Sequence, residues 1–118
     1  MKWMLASFVM FLALATFSYA GPREVVLLRG GFMTGNSYQQ LNNTGKKGYA
    51  MGFYNGLLMA PAFGAHKEET KWVEECVSLT GDGQIVAIID KFLQENPARW
   101  HEPMNILSYA ALKASCEK

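Results

Sequence analysis

The sequence predicts an all-α fold, a small bundle of four to five short helices stapled by one disulfide. Three observations carry that expectation. From Lys46 onward, apolar residues recur at three- and four-residue spacings, the period of a helix face, and no segment sustains the alternation of a strand. Clusters of Gly, Pro, Asn and Thr interrupt those rows often enough to keep each helix short. Two cysteines, Cys76 and Cys116, stand behind a hydrophobic leader. With 118 residues the chain has the length of one domain.

The leader defines the compartment. Met1 and Lys2 give a positive start, residues 3–17 are apolar, and Ser18-Tyr19-Ala20 places small residues ahead of Gly21. This is the pattern of a cleaved signal peptide, and its apolar stretch falls short of the roughly 20 residues that cross a bilayer as a helix. Residues 1–20 are therefore expected to be a signal peptide. Residues 21–118 then form a single mature domain in the periplasm, without a membrane anchor. In an oxidising compartment, Cys76 and Cys116 are expected to pair. Closing a loop of about 41 residues contributes roughly 4 kcal/mol on the chain-entropy model. A zinc site built from both cysteines with His66 and His101 lacks the close ligand pairs that structural zinc sites use, so neither metal nor cofactor is expected.

Beyond the leader, ten basic and ten acidic side chains balance. That neutrality excludes nucleic acid or an anionic membrane as the main partner, since both recruit an excess of Lys and Arg.

The elements follow in order. Val25-Val26-Leu27-Leu28 is a short apolar run in a lead-in ended by Arg29-Gly30-Gly31. Thr34-Gly35-Asn36-Ser37 offers caps for a short helix carrying Tyr38 and Leu41, and Asn42-Asn43-Thr44-Gly45 reads as a turn. From Lys46 to Met59 one row is Tyr49, Phe53 and Leu57, a second Met51, Tyr54 and Leu58. Gly48, Gly52 and Gly56 form a stripe on the same helix. Interior glycines cost roughly 1 kcal/mol each relative to Ala, so close packing is expected along the stripe, inside the domain or between two copies. Pro61 ends or kinks the helix, and residues 60–66 read as a loop. Residues 68–76 form a helix with Trp72, Val73 and Cys76 on one side. Thr80 then offers an N-cap for residues 84–95, where Ile85, Ile88, Ile89 and Phe92 are widened by Val86 and Leu93. Asn96-Pro97 stops that helix. Pro103 suits the first turn of the last one, which carries Met104, Leu107, Ala110, Ala111 and Ala114 to Cys116.

The chemical inventory does not favour an enzyme. If both cysteines are bridged, a nucleophile must be a Ser activated by His66 or His101, and neither sits in a recognisable triad context. Gly81 and Gly83 follow no strand and precede no P-loop Lys. Glu68, Glu69, Glu74 and Glu75 beside Lys67 and Lys71 read as a solvated helix face. Arg99-Trp100-His101 mixes an aromatic, a guanidinium and an imidazole between two helices; it either plugs a helix corner or supplies anchors for a protein contact.

Ordered motifs point further. These are Thr34-Gly35-Asn36-x-Tyr38, Tyr49-x-x-Gly52-x-x-Asn55-Gly56, Cys76 with Gln84, Phe92-Leu93-x-x-Asn96-Pro97-x-Arg99-x-His101-x-Pro103, and the terminal Cys116. Together they resemble the Rap/Tai family, small exported immunity proteins against the peptidoglycan amidase effectors of type VI secretion. The resemblance covers residues 32–116. It implies a helical, disulfide-bridged periplasmic inhibitor, often dimeric, whose partner is a secreted amidase. Asn55 departs from the family's usual Asp, and residues 57–75 match no anchored motif. Candidate partner contacts are Phe63 and His66 in the 60–66 loop, then Arg99, Trp100 and His101. Two other classes share these features: an acid-stress chaperone of the Hde type, and an exported binding module with no inhibitory role.

Overall fold

The computed structural model describes residues 31–117. The leader, its cleavage point before Gly21, the Val25-Val26-Leu27-Leu28 run and Arg29-Gly30 lie outside those residues. Five helices occupy the described chain: α1 (Gly35–Gln39), α2 (Asn43–Leu58), α3 (Lys67–Val77), α4 (Asp82–Glu95) and α5 (Met104–Cys116). Short 3-10 turns, Ala60–Phe63 and Pro97–Arg99, follow α2 and α4. No strand occurs among the described residues beyond an isolated bridge between Thr34 and Pro103. The all-α expectation and the Cys76–Cys116 bridge are both observed.

Local chemistry sets the helix starts. The Thr34 hydroxyl accepts from the Ser37 amide at 3.3 Å and opens α1. Asn42 Oδ1 accepts from the Gly45 amide at 2.9 Å, so α2 begins at Asn43. The expected turn over residues 42–45 is thus a cap and a first helical turn. Thr80 does not cap α4. Its hydroxyl donates backward to the Cys76 carbonyl at 2.9 Å, closing α3, and Gly81 precedes α4 instead. Gln84 Oε1 then accepts from the Gly81 amide at 3.2 Å. Pro103 stands just before α5, where its missing N–H is no loss.

The helices bury one shared core. α4 contributes Ile85, Val86, Ile89 and Leu93; α5 contributes Met104, Leu107, Ala111 and Leu112. These two helices pack along each other, α2 covers α4, and α3 closes against α2 and α5. From the outer elements Tyr38, Ala50, Val73 and Val77 complete the cluster. On α5 the buried face is rotated from the expected one. Ser108 and Leu112 are enclosed, while Ala114 is exposed and Ala110 half-buried. Cys76 in the last turn of α3 bonds Cys116 at the end of α5, with Cα atoms 5.7 Å apart.

α2 departs most from expectation. Tyr49, Phe53, Tyr54 and Leu57 pack on the core, but Met51 is 50% exposed and Leu58 is 39% exposed. A Cβ built on Gly48, Gly52 or Gly56 meets nothing within 4 Å. Among the described residues the stripe therefore packs against no other element, which corrects the expectation of close packing inside the domain. The glycine that does serve a close approach is Gly35. A Cβ there would lie 2.9 Å from Leu107 Cδ1 and 3.0 Å from the Trp100 Cα and backbone oxygen.

With open space around it, Gly52→Ala is expected to stabilise the monomeric fold by about 1 kcal/mol through helix propensity. A thermal melt at low protein concentration reads the sign, and a lower melting temperature contradicts the exposed placement.

Candidate protein-contact site

The 60–66 segment is a braced projection. α2 ends at Leu58, and the chain enters a 3-10 turn with Pro61 in its first positions. Three backbone hydrogen bonds hold the turn: the Ala62 amide to the Met59 carbonyl at 2.9 Å, Gly64 to Pro61 at 3.2 Å, and Ala65 to Ala60 at 3.1 Å. Gly64 reverses the chain at φ +100°, the left-handed region that glycine enters without strain. α3 then begins at Lys67, with the His66 carbonyl accepting from the Glu69 amide at 2.9 Å. The tip of this frame is Phe63, 85% exposed.

The chemistry around the tip is uncharged. No Asp, Glu, Lys or Arg occurs from Gly48 to His66. Beside the turn, Leu58 and Pro61 join Lys67, Glu68, Lys71 and Glu74 of α3 in lining a shallow groove of about 310 Å³. A rigid aromatic beside a mixed-charge groove can fill an apolar pocket of a protein partner while the groove supplies the polar rim.

The other candidate contacts have internal duties. Trp100 is half-buried, and its indole Nε1 donates to the Leu93 carbonyl at 2.7 Å. Its backbone carbonyl accepts from the Asn36 amide at 2.9 Å. Arg99 forms a two-pronged pair with Glu102, at 2.8 Å from Nε and 2.7 Å from Nη2, and lies 5.5 Å from the Phe92 ring centroid. Asn96 Nδ2 donates to the Phe92 carbonyl at 2.8 Å, which seals the end of α4. His101 is exposed in the turn before α5. His66 and His101 thus precede different helices, and Cys76 and Cys116 are joined to each other.

Two polar clusters were not legible as such. Lys46 on α2 reaches Asp90 on α4 at 3.0 and 3.2 Å and sits 5.2 Å from the Tyr38 ring centroid. Burial, reinforced by the Asp90 carboxylate, pushes the Tyr38 phenol above its ordinary value. Between α3 and α5, Trp72 and Tyr109 meet edge to face at 5.7 Å, with Lys113 Nζ 4.6 Å from the Trp72 centroid. Both clusters bring together residues far apart in the chain, and their only sequence signal was the helical register of each member.

No family model, no curated protein and no solved structure matches the chain.

Hydrogen bonds from Arg99 hold the Glu102 carboxyl below its ordinary range. A depressed carboxylate stabilises the fold above the unfolded-state value near 4.3, and that contribution is lost as pH falls through the lowered one. The pair is partly exposed, so Glu102→Gln is expected to cost only about 0.5–1 kcal/mol at pH 7. The gap from the unsubstituted protein should close in strong acid. Denaturant titrations at pH 7 and at about pH 2.5 check this, and a gap that widens in acid contradicts the assignment.

Proposed function

We propose that the chain is an exported immunity-type protein that binds and inhibits a secreted peptidoglycan amidase. The observation that carries the reading is Phe63, an almost fully exposed aromatic on a turn fixed by three backbone hydrogen bonds and a left-handed glycine. A stiff turn loses little conformational entropy on binding, and an exposed ring gains the most from filling an apolar pocket. Inhibition needs no chemistry of its own, only a projection that occupies the cleft.

The resemblance to the Rap/Tai family supports the same reading. Its motif residues take structural posts here: Thr34 caps α1, Tyr38 is fully buried, Asn96 closes α4, Arg99 pairs with Glu102, and the cysteines join. That leaves the exposed part of residues 57–75, the stretch outside the motifs, to vary with the partner, while Leu57, Trp72 and Val73 serve the core. Export in this reading rests on the leader, with maturation before Gly21.

The test uses an amidase encoded beside this chain, assayed on purified peptidoglycan, with protein recovered from the periplasm. The unsubstituted chain should start at Gly21 and abolish hydrolysis near one equivalent. Phe63→Ala should weaken binding by about 2 kcal/mol or more, roughly thirtyfold, with the melting temperature unchanged because the ring supports no core contact. His66→Ala reports on the other end of the turn. Full inhibition by both variants removes the turn from the interface. If no neighbouring amidase is bound, the immunity reading fails.

A further inference from the structure

Two charges on α3 oppose their own helix. Lys67 is its first residue, and Glu74 lies in its last turn. A helix dipole favours anions at the start and cations at the end, so each of these side chains weakens α3 where it stands. Neither is compensated inside the described chain. Every other Lys and Arg among the described residues has a carboxylate partner, while Lys67 has none. Lys71, three positions before Glu74, pairs instead with Glu75 at 3.7 Å. Glu68 also lacks a partner, but it sits in the first turn, where the dipole favours it. Local rules are broken in this way mainly where a surface is kept for function.

The two misplaced charges share one groove. Positions 67, 70, 71 and 74 fall on one face of a helix. That face lines the groove of about 310 Å³ whose other wall is Leu58 and Pro61. Both side chains are exposed there. Phe63 projects from the same turn that carries Pro61. α3 rises about 1.5 Å per residue, so Lys67 and Glu74 stand about 10 Å apart along the groove. Lys67 is at the end where the turn joins α3.

We propose, resting on the inhibitor reading above, that this groove selects its partner by the order of charges on it. The amidase surface that receives Phe63 presents a carboxylate opposite Lys67 and, about 10 Å along, a Lys or Arg opposite Glu74. A partner with that order gives both side chains the countercharge that their own chain withholds. A partner with the reverse order meets like charge at both ends, which is a penalty and not merely a lost contact. Ion pairs at an exposed rim add modestly to affinity and strongly to discrimination. Phe63 supplies the grip, and the groove decides between enzymes with similar clefts.

Exchanging the two charges tests this. Lys67→Glu and Glu74→Lys, alone and combined, are titrated calorimetrically against the amidase encoded beside this chain. Each single variant should bind at least about fivefold more weakly, and the double variant at least about twentyfold, although its net charge is unchanged. All three should melt at the same temperature as the unsubstituted chain or higher, because each replacement agrees with the helix dipole. Lost binding with a retained melt therefore reports on the interface. A double variant that regains the unsubstituted affinity overturns the proposal, since net charge and not order then matters. Single variants that bind like the unsubstituted chain overturn it as well. If Phe63→Ala loses binding while the exchanged variants keep it, the inhibitor reading stands and this inference alone falls. If the unsubstituted chain binds no neighbouring amidase, both fall.

Discussion

The fold depends on α5 being fixed at both ends. Helices of five to sixteen residues are marginal in water, and here each is held by what it packs against. α5 touches all four of the others, so its position sets theirs. At its start, the Met104 amide donates to the Met33 carbonyl at 2.8 Å. The Gly35 and Asn36 amides donate to the carbonyls of Glu102 and Trp100, which ties α1 to the entry of α5. At its end the disulfide joins α5 to α3, and Lys113 over the Trp72 ring adds a contact about one helical turn away between the same two helices. Between the anchors, Leu107, Ser108 and Leu112 are fully enclosed.

Those anchors consume the side chains that composition makes most conspicuous. An Arg and a Trp in a short loop have the profile of interface anchors. Here the guanidinium is saturated by Glu102, the indole by the Leu93 carbonyl, and the neighbouring backbone by α1. The same internal use extends to Lys46, Lys47, Lys71 and Lys91, each with a carboxylate partner in its own chain. What stays outward on α2 and its following turn is uncharged and partly aliphatic. A surface of that kind gains little from long-range attraction and much from shape, which suits contact with a fitted protein face.

Helix identity was legible because periodicity reports burial directly: Ile85, Ile89 and Leu93 fall where a 3.6-residue period puts them. The boundaries were less so, since neighbouring residues compete for one capping role. Asn42 and Asn43 are equally able caps, and geometry selected the first. Thr80 looks like an N-cap for α4, yet its hydroxyl reaches back to α3 because Cys76 O is an unpaired carbonyl at a helix end. Gly35 and Gly52 are the clearest contrast. Both lie on helices; by sequence Gly35 reads as part of a capping segment and Gly52 as part of a close-packing stripe, the reverse of where close packing occurs. Only the position of Trp100 against one and of nothing against the other separates an obligatory glycine from a free one. The Lys46–Asp90 pair, 44 residues apart, was likewise beyond any local pattern.

The three free glycines also explain why a bridge is useful in this fold. Together they forgo about 3 kcal/mol of helix propensity on α2, and no contact at these positions among the described residues returns it. A domain of this size has about 5–15 kcal/mol of net stability, so a deficit of that size is a large fraction of the whole. The Cys76–Cys116 loop supplies roughly 4 kcal/mol by restricting the unfolded chain, an amount of the same order. It does so through α3 and α5 and uses no residue of α2. Stability and surface are thereby separated. The staple keeps the bundle folded while α2 carries three helix positions without side chains.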